Sequence, residues 1–187
     1  LVSNPQGCRD TVTRAIKVFP EINASFALSA NAGCHPLEIG ITNLSTGATA
    51  TTPYMWEYSN GQRSATRETL HNYVFNNFGH TQSINYTITL RAESRYGCTA
   101  QSQQQIVVHP RPDASFQPDL VEGCSPLIVN FADASTGANN YRWDFGDGNR
   151  SELAGNVQNT FRRAHDAGAG VFDINLLVSN VHGCLDT

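Results

Sequence analysis

The spacing of the cysteines constrains this chain more than any other feature of its sequence. There are five, each directly after a glycine: Cys8, Cys34, Cys98, Cys124 and Cys184. The first two are 26 residues apart, as are the third and fourth, and the second and fourth are 90 residues apart. A fixed period of this kind is the signature of repeated structural units. The sequence therefore predicts two units and part of a third.

Other segments fall into register once the cysteines are aligned. Ala-Ser-Phe occurs at residues 24–26 and 114–116, and Ser-Thr-Gly-Ala at residues 45–48 and 135–138. The alignment predicts three parts: residues 1–19 as the tail of an upstream repeat, 20–109 as one complete repeat, and 110–187 as a repeat without its last strand. The domain edges are then expected at short proline-containing linkers such as residues 109–112.

The segments between these landmarks have the pattern of β-strands. Residues 37–41, 127–131 and 141–145 alternate apolar and polar positions and are rich in β-branched and aromatic side chains. Turn residues, such as Gly146-Asp147-Gly148, follow them at short intervals. No strongly amphipathic helix is evident. The expected fold class is all-β, built from sandwiches.

Composition excludes several function classes. Charged residues make up 15% of the chain and its net charge is −4, so there is no basic field for nucleic acid. No apolar run approaches the roughly 20 residues that cross a bilayer. Nucleophile-elbow, zinc-protease and phosphate-loop motifs are absent from the sequence, so we expect no enzyme activity. The uncharged polar composition is typical of an extracellular β-protein.

The cysteines are expected to form disulfides rather than a zinc site. The sequence contains no Cys-x-x-Cys, and its histidines are not at ligand spacing from the cysteines. We expect the pairs Cys34–Cys98 and Cys124–Cys184, with Cys8 unpaired within this chain. Each bridge would close a loop of about 60 residues and contribute roughly 4 kcal/mol. The alternative, Cys8–Cys34 and Cys98–Cys124, would join successive repeats. Stable disulfides indicate an oxidising compartment, at the cell surface or outside the cell.

The most specific motif is the segment at 141–148, Tyr-Arg-Trp-Asp-Phe-Gly-Asp-Gly. Trp143 and Phe145 lie two residues apart and are expected to face the sandwich core. Asp144 and Asp147 are expected to cap backbone N–H groups of the turn, where Gly146 and Gly148 permit positive φ. Residues 56–61 of the first repeat, Trp-Glu-Tyr-Ser-Asn-Gly, stand in the place of the motif and begin with Trp56.

Together with Phe-Asp-Ile-Asn-Leu-Leu-Val-Ser-Asn at 172–180, this motif resembles the PKD (polycystic kidney disease) domain family. The resemblance implies tandem immunoglobulin-like β-sandwiches. The Gly-Cys-x-Pro openings and the Gly-Cys-x-Asp-Thr closings resemble cysteine-bearing PKD-type repeats of large Bacteroidota surface proteins, some of them gliding adhesins exported by the type IX secretion system. The resemblance to the PKD family covers residues 110–187 well and residues 20–109 less closely.

The resemblance implies a spacer or stalk in a long cell-surface adhesin filament. Its partners would be neighbouring repeats of the same chain, with secretion-system or filament components and glycans as further candidates. The alternative function is an accessory carbohydrate- or protein-binding module of a secreted enzyme. A third hypothesis is strand donation, in which residues 11–19 complete the second repeat of another copy.

Two sets of side chains are candidates for ligand binding. Asp133, Asp144 and Asp147 are the candidate calcium ligands, although three carboxylates fall short of the six to eight oxygens that calcium takes, and turn capping is the preferred interpretation. We expect no other cofactor. Surface aromatics could bind sugar, with Tyr54, Tyr58 and Tyr73 as candidates in the first repeat and Tyr141 in the second. Strand aromatics more often pack in the core or across strands.

Overall fold

The computed structural model describes residues 2–3, 5–7, 9–48, 54–65, 70–79, 81–165 and 168–187. All regular secondary structure in these ranges is β-strand, which confirms the all-β prediction. The described part of the chain contains no helix long and apolar enough to cross a membrane. The strands form two sandwiches, preceded by a short hairpin of β1 (Val2–Ser3) and β2 (Arg9–Asp10).

The first sandwich is built from eight strands in two sheets. Its strands are β3 (Phe26–Leu28), β4 (Ala32–Cys34), β5 (Leu37–Asn43), β6 (Met55–Tyr58), β7 (Arg63–Ser64), β8 (Leu70–Phe75), β9 (Ile84–Glu93) and β10 (Thr99–His109). One sheet has the order β3-β5-β8 and the other β4-β10-β9-β6-β7. β9 and β10 form a long antiparallel hairpin, and β4 runs parallel to the last three residues of β10.

Apolar side chains from both sheets meet in one core. Trp56 lies at its centre, and Phe26 packs against the indole edge-on at 5.2 Å between ring centroids. Ile106 and Val108, on alternate positions of β10, are fully buried in the same core. The period-two pattern of the sequence therefore corresponds to one face of each strand turned inward.

The second sandwich has the same plan with shorter strands. Its strands are β11 (Phe116–Pro118), β12 (Leu127–Asp133), β13 (Asn140–Asp144), β14 (Arg150–Ser151), β15 (Val157–Phe161), β16 (Asn175–Ser179) and β17 (Leu185–Asp186). The two sheets have the orders β11-β12-β15 and β14-β13-β16-β17. Trp143 is central here, and Phe116 packs on it at 5.2 Å as Phe26 packs on Trp56.

The closing strand distinguishes the two sandwiches. β10 is eleven residues long, whereas β17, which follows the equivalent hairpin, is two residues long. β16 begins only at Asn175, while its counterpart β9 is ten residues long.

The Gly-Cys hairpins share one register in the backbone. Thr99 pairs with Glu93 in the first sandwich, Leu185 pairs with Ser179 in the second, and Arg9 pairs with Ser3 at the start of the chain. Each hairpin turns at a glycine with a φ of +77° to +81°, a conformation that glycine adopts without steric cost.

Candidate functional site: the junction between the two sandwiches

A disulfide joins the two sandwiches. The Sγ atoms of Cys34 and Cys184 are bonded, with their Cα atoms 5.5 Å apart and a sequence separation of 150. Cys34 ends β4 of the first sandwich, and Cys184 lies in the β16–β17 hairpin of the second. Cys184 is fully buried at the junction. The bond therefore connects successive units rather than two strands of one unit.

This bond contradicts the expected pairs Cys34–Cys98 and Cys124–Cys184. Cys34 is the register partner of His109 at the end of β10, whereas Cys98 directly precedes the first residue of that strand. Eleven residues of extended chain span about 35 Å. A disulfide requires Cα atoms within about 7 Å. The first sandwich thus carries Cys34 and Cys98 at opposite ends of β10.

Among the described cysteines, Cys98 and Cys124 have free thiols, half-exposed and exposed respectively. Cys8 lies outside the described residues, so its expected unpaired state stays a prediction. The alternative pairs, Cys8–Cys34 and Cys98–Cys124, are not found either, because Cys34 is bonded to Cys184 and the thiols of Cys98 and Cys124 are free.

A pair of stacked imidazoles lies beside the disulfide. The rings of His109 and His182 are 3.9 Å apart and almost parallel, at 8°. Ser83 Oγ is 2.7 Å from His109 Nδ1, and the His35 backbone N–H donates to the His109 carbonyl. Desolvation, and secondly the neighbouring His182, lower the pKa of His109. The pair therefore favours the neutral form of His109 at the junction.

Asn180 supplies a second set of contacts across the junction. This buried side chain donates from Nδ2 to the carbonyl of Pro110 in the linker, at 2.8 Å. Its Oδ1 accepts the N–H groups of His182 and Cys184, which shapes the hairpin that carries the disulfide. One amide thus fixes both the hairpin and the path of the linker.

An ion pair completes the junction. Arg111 in the linker donates from Nε to the Leu185 carbonyl at 3.0 Å and from its guanidinium to Asp186. The other carboxylate oxygen of Asp186 accepts the Ala114 N–H at 2.8 Å. The Ala114 N–H first, and Arg111 next, lower the pKa of Asp186. Charge-assisted bonds of this type are stronger than neutral ones.

Sequence reasoning missed these junction residues. A signal was present for Asp186, because Gly-Cys-x-Asp-Thr occurs both at 7–11 and at 183–187. The pairing of Asp186 with Arg111 could not be found in this way, since 75 residues separate the two side chains. The role of a linker residue such as Arg111 can be assigned only once the hairpin that it contacts is known.

The Trp-Asp-Phe-Gly-Asp-Gly segment is a structural turn of the second sandwich. Trp143 and Phe145 are buried, as their spacing predicts. Asp144 accepts the Gly146 N–H at 3.1 Å and pairs with Arg150, and these contacts lower its pKa. Gly146 has a φ of +71°, and a Cβ there would stand 2.6 Å from the Asp173 carbonyl oxygen, so only glycine fits.

The candidate calcium ligands are engaged in turns. Asp147 accepts the Asn149 N–H at 2.9 Å, and its second oxygen accepts the side-chain amides of Asn149 and Asn159. Asp133 accepts the Ser135 N–H at 3.0 Å. Within the described residues, no group of three or more acidic, histidine or cysteine side chains is placed to hold a metal. The contacts match the turn-capping interpretation.

The aromatic candidates for sugar binding are mainly core residues. Tyr54 and Tyr58 are buried, so neither offers a ring face to a ligand. Tyr73 is half-buried and stacks on Tyr58 at 4.2 Å. Tyr141 is half-buried beside Asp133, and burial, together with that carboxylate, raises its pKa. The structure therefore does not assemble these rings into a surface platform.

A comparison with known protein families gives one match, which covers the C-terminal part of the chain. The family model described as "PKD domain" matches residues 107–187. This match supports a PKD-type, immunoglobulin-like domain in the second sandwich. No curated protein matches the chain.

Among solved structures, the chain is similar to "Structure of amphioxus IgVJ-C2 molecule", at 13% identity and a TM-score of 0.33, covering 83% of this chain and 95% of that one. Another is "Crystal structure of murine CEACAM1b", at 14% identity and a TM-score of 0.30, covering 86% of this chain and 93% of that one.

Proposed function

We propose that the two sandwiches are successive PKD-type repeats of an extracellular spacer, in the stalk of a long cell-surface adhesin. The observation that carries this proposal is the Cys34–Cys184 disulfide, which joins one sandwich to the next beside a short linker. A contact that restricts the angle between repeats is what a stiff stalk requires. The proposal extends to adhesion or gliding motility and to export by the type IX system, on the resemblance of the Gly-Cys segments.

The Cys34–Cys184 disulfide would allow this segment of a stalk to carry mechanical tension. Force applied to the two ends of the chain would pass from Cys34 to Cys184 through the covalent bond. The intervening loop, which contains most of both cores, would then be relieved of load. The ion pair between Arg111 and Asp186 and the amide of Asn180 hold the same junction against bending.

Single-molecule stretching tests this function. With the disulfide intact, unfolding lengthens the chain only by the residues outside the loop. Reduction adds the 150-residue separation, which is about 500 Å of extended chain. A Cys98→Ser variant is the matched control, because it removes a thiol without touching the bond. Full lengthening of the oxidised chain would contradict a load-bearing junction.

Binding assays distinguish a spacer from an accessory binding module. A spacer gives no signal on a glycan array at either repeat. Robust binding that is lost on substitution of the half-buried Tyr73 or Tyr141 would favour the module instead. Tyr58→Ala is not a suitable probe, because its buried ring supports the core.

A further inference from the structure

Two ionisable rings from different sandwiches lie face to face at the junction. His109 ends β10 of the first sandwich, and His182 lies in the β16–β17 hairpin of the second. Their ring centroids are 3.9 Å apart and their planes are 8° from parallel. Two positive charges at this distance repel each other, because charges near a protein surface interact through a dielectric lower than that of bulk water. The contact therefore depends on the protonation state of the pair.

The ionisable groups around the pair are mainly basic. His35 directly follows β4, Arg111 lies in the linker, and Asp186 of β17 is paired with Arg111. Burial first, and the positive charge of Arg111 next, lower the pKa of His35. The carboxylate of Asp186 is bonded to Arg111 and to a backbone N–H, so it does not neutralise a proton on the rings. A proton on either ring adds to a positive cluster.

The loop between β8 and β9 approaches His109 with uncharged groups. Ser83 Oγ is 2.7 Å from His109 Nδ1, and Asn77 Nδ2 donates to the carbonyl of Val108 at 2.8 Å. Residues 76–83 contain no acidic residue, and His80 among them lies outside the described residues. This loop therefore offers no carboxylate to compensate a charge on His109.

Separation of the two rings would act on the linker directly. Pro110 follows His109, and its carbonyl accepts a hydrogen bond from Asn180 Nδ2 at 2.8 Å. Asn180 Oδ1 accepts the backbone N–H of His182. The ring stack and this amide thus join the same two segments, so repulsion between the rings would pull on the amide bond. The disulfide would remain as a covalent tether about which the sandwiches can turn.

The chain contains a version of this contact that acid does not charge. Phe19 stacks on Tyr96 at 4.4 Å, with the ring planes 13° apart, and both residues stand 86 to 90 positions before their aligned counterparts His109 and His182. Neither a phenyl nor a phenol ring gains a proton in mild acid. The histidine pair is therefore the ionisable form of a stacking contact that the aligned hairpin makes with neutral rings.

We propose that the His109–His182 stack makes the junction a pH-dependent hinge, which holds the two sandwiches at one angle at neutral pH and releases them in mild acid. Histidine changes charge between about pH 5 and pH 8, so the response falls in this range. A stalk with this junction would be stiff in neutral medium and compliant in acidified medium. The inference rests on the proposed function, because it takes the junction as the element that sets the stiffness of the stalk.

The test measures a distance between the sandwiches through their own free thiols. Cys98 and Cys124 are spin-labelled without reduction in the full chain, with Cys8→Ser so that Cys8 takes no label. Cys98 is about 35 Å from the junction along β10, which makes its label sensitive to the angle. Pulsed electron paramagnetic resonance should give a narrow distance distribution at about pH 7.5 and one at least about twofold broader at about pH 5.

A double variant, His109→Phe with His182→Tyr, is the matched control because it copies the neutral pair of the aligned hairpin. Its distribution should stay narrow at both pH values. The lowered pKa of Asp186 keeps the ion pair with Arg111 charged in mild acid, so that contact does not contribute to the difference. Small-angle X-ray scattering of the unlabelled proteins should show the same contrast without labels.

A second measurement uses the natural chain alone. Nuclear magnetic resonance follows the ring protons of the histidines across the same pH range, and the midpoint of the broadening should coincide with the protonation of His109 or His182. A midpoint that coincides with neither ring would overturn the inference. So would a natural chain whose distribution is the same at both pH values, or equal acid broadening in the double variant.

The stretching experiment is run at neutral pH and depends on the disulfide, so none of these results changes its outcome. A junction that bears load but does not respond to pH would refute the hinge and leave the spacer function standing. Full lengthening of the oxidised chain would refute the load-bearing role while the distance measurements still report the hinge. The two failures are therefore distinguishable.

Discussion

The two sandwiches share a plan but differ in the length of the strand that leads into the Gly-Cys turn, which is ten residues in β9 and five in β16. In the first, the eleven residues of β10 cover one edge and bury Ile106 and Val108 in the core. In the second, β16 begins only at Asn175, and residues 171–174 before it have no regular structure. β10 thus completes the core of the first sandwich and leads directly into the linker whose Pro110 carbonyl binds Asn180 of the second sandwich.

The hairpins at the two junctions differ in a similar way. At the second hairpin Asn180 binds the linker carbonyl, and Arg111 pairs with Asp186. At the first, Ser94 caps the Cys98 N–H, but the aligned positions hold Glu21 and Ala100, which cannot form that ion pair. Ring stacking is common to both hairpins, since Phe19 stacks on Tyr96 at 4.4 Å and His109 stacks on His182 at 3.9 Å. The hydrogen bond of Asn180 to the linker and the Arg111–Asp186 ion pair are found only at the hairpin that carries the disulfide.

The largest expected effect is the loss of stability of the second sandwich when its central tryptophan is removed. Trp143→Ala should destabilise the second sandwich by about 3–5 kcal/mol, because a fully buried indole is replaced by a cavity. The fluorescence of the remaining Trp56 should still report a folded first sandwich in chemical denaturation. The reciprocal variant, Trp56→Ala, is the control. If Trp56 is lost from its core in the same transition as the second sandwich, the two units do not fold independently.

The disulfide is expected to have the next largest effect. Cys184→Ser should lower the free energy of unfolding, summed over both transitions, by about 2–5 kcal/mol, because the bond closes a loop of 150 residues. Guanidinium denaturation measures this loss. Cys98→Ser serves as the matched control and should be close to neutral. Equal losses in the two variants would mean that the bond contributes no more than a free thiol.

The ion pair is expected to contribute less. Arg111→Ala should cost about 1 kcal/mol, because Asp186 and the Leu185 carbonyl lose their partner, whereas the aligned Glu21→Ala should be neutral. The lowered pKa of Asp186 means that its contribution is present above the ordinary aspartate pKa and is lost as pH falls through the folded-state value. Denaturation curves between pH 3 and pH 7 should show this loss, and an Arg111→Ala curve of the same shape as wild type would exclude the ion pair as a cause.

The imidazole stack gives a smaller, pH-dependent effect. The pKa of His109 is lowered below its ordinary value of 6.5, so the folded chain binds this proton less well than the unfolded chain. The contribution of neutral His109 to the free energy of unfolding should therefore be fully present above pH 6.5 and should be lost as pH falls through the folded-state pKa. His109→Phe, which copies the residue at the aligned position 19, should weaken this decline. The pKa of His35 is also lowered, so His35→Gln is the control for its share.

Calcium is expected to have no effect. The oxygens of Asp144 and Asp147 are already bonded to backbone N–H groups, to amides and to Arg150. Millimolar calcium should leave the thermal midpoint unchanged relative to magnesium. A calcium-specific rise in the midpoint that Asp144→Asn abolishes would show that the turn is a metal site.

Much of the fold could be predicted from local pattern. The alternation at 37–41 and 127–131 identified β5 and β12, and the spacing of Trp143 and Phe145 placed both in a core. The capping roles of Asp144 and Asp147 also followed from the turn sequence. These properties depend on neighbours within a few residues, which is why sequence alone reveals them.

The pairing of the cysteines could not be predicted in this way. The period of the glycine-cysteine pairs can be read from the sequence, and it predicts a repeat in which Cys34 is equivalent to Cys124 and Cys98 to Cys184. Which thiols meet depends on distance in space. A strand of eleven residues holds Cys34 and Cys98 about 35 Å apart, and a short linker brings Cys184 of the next unit to Cys34. That choice was made by the tertiary structure, because a disulfide forms only where two Cα atoms lie within a few ångströms.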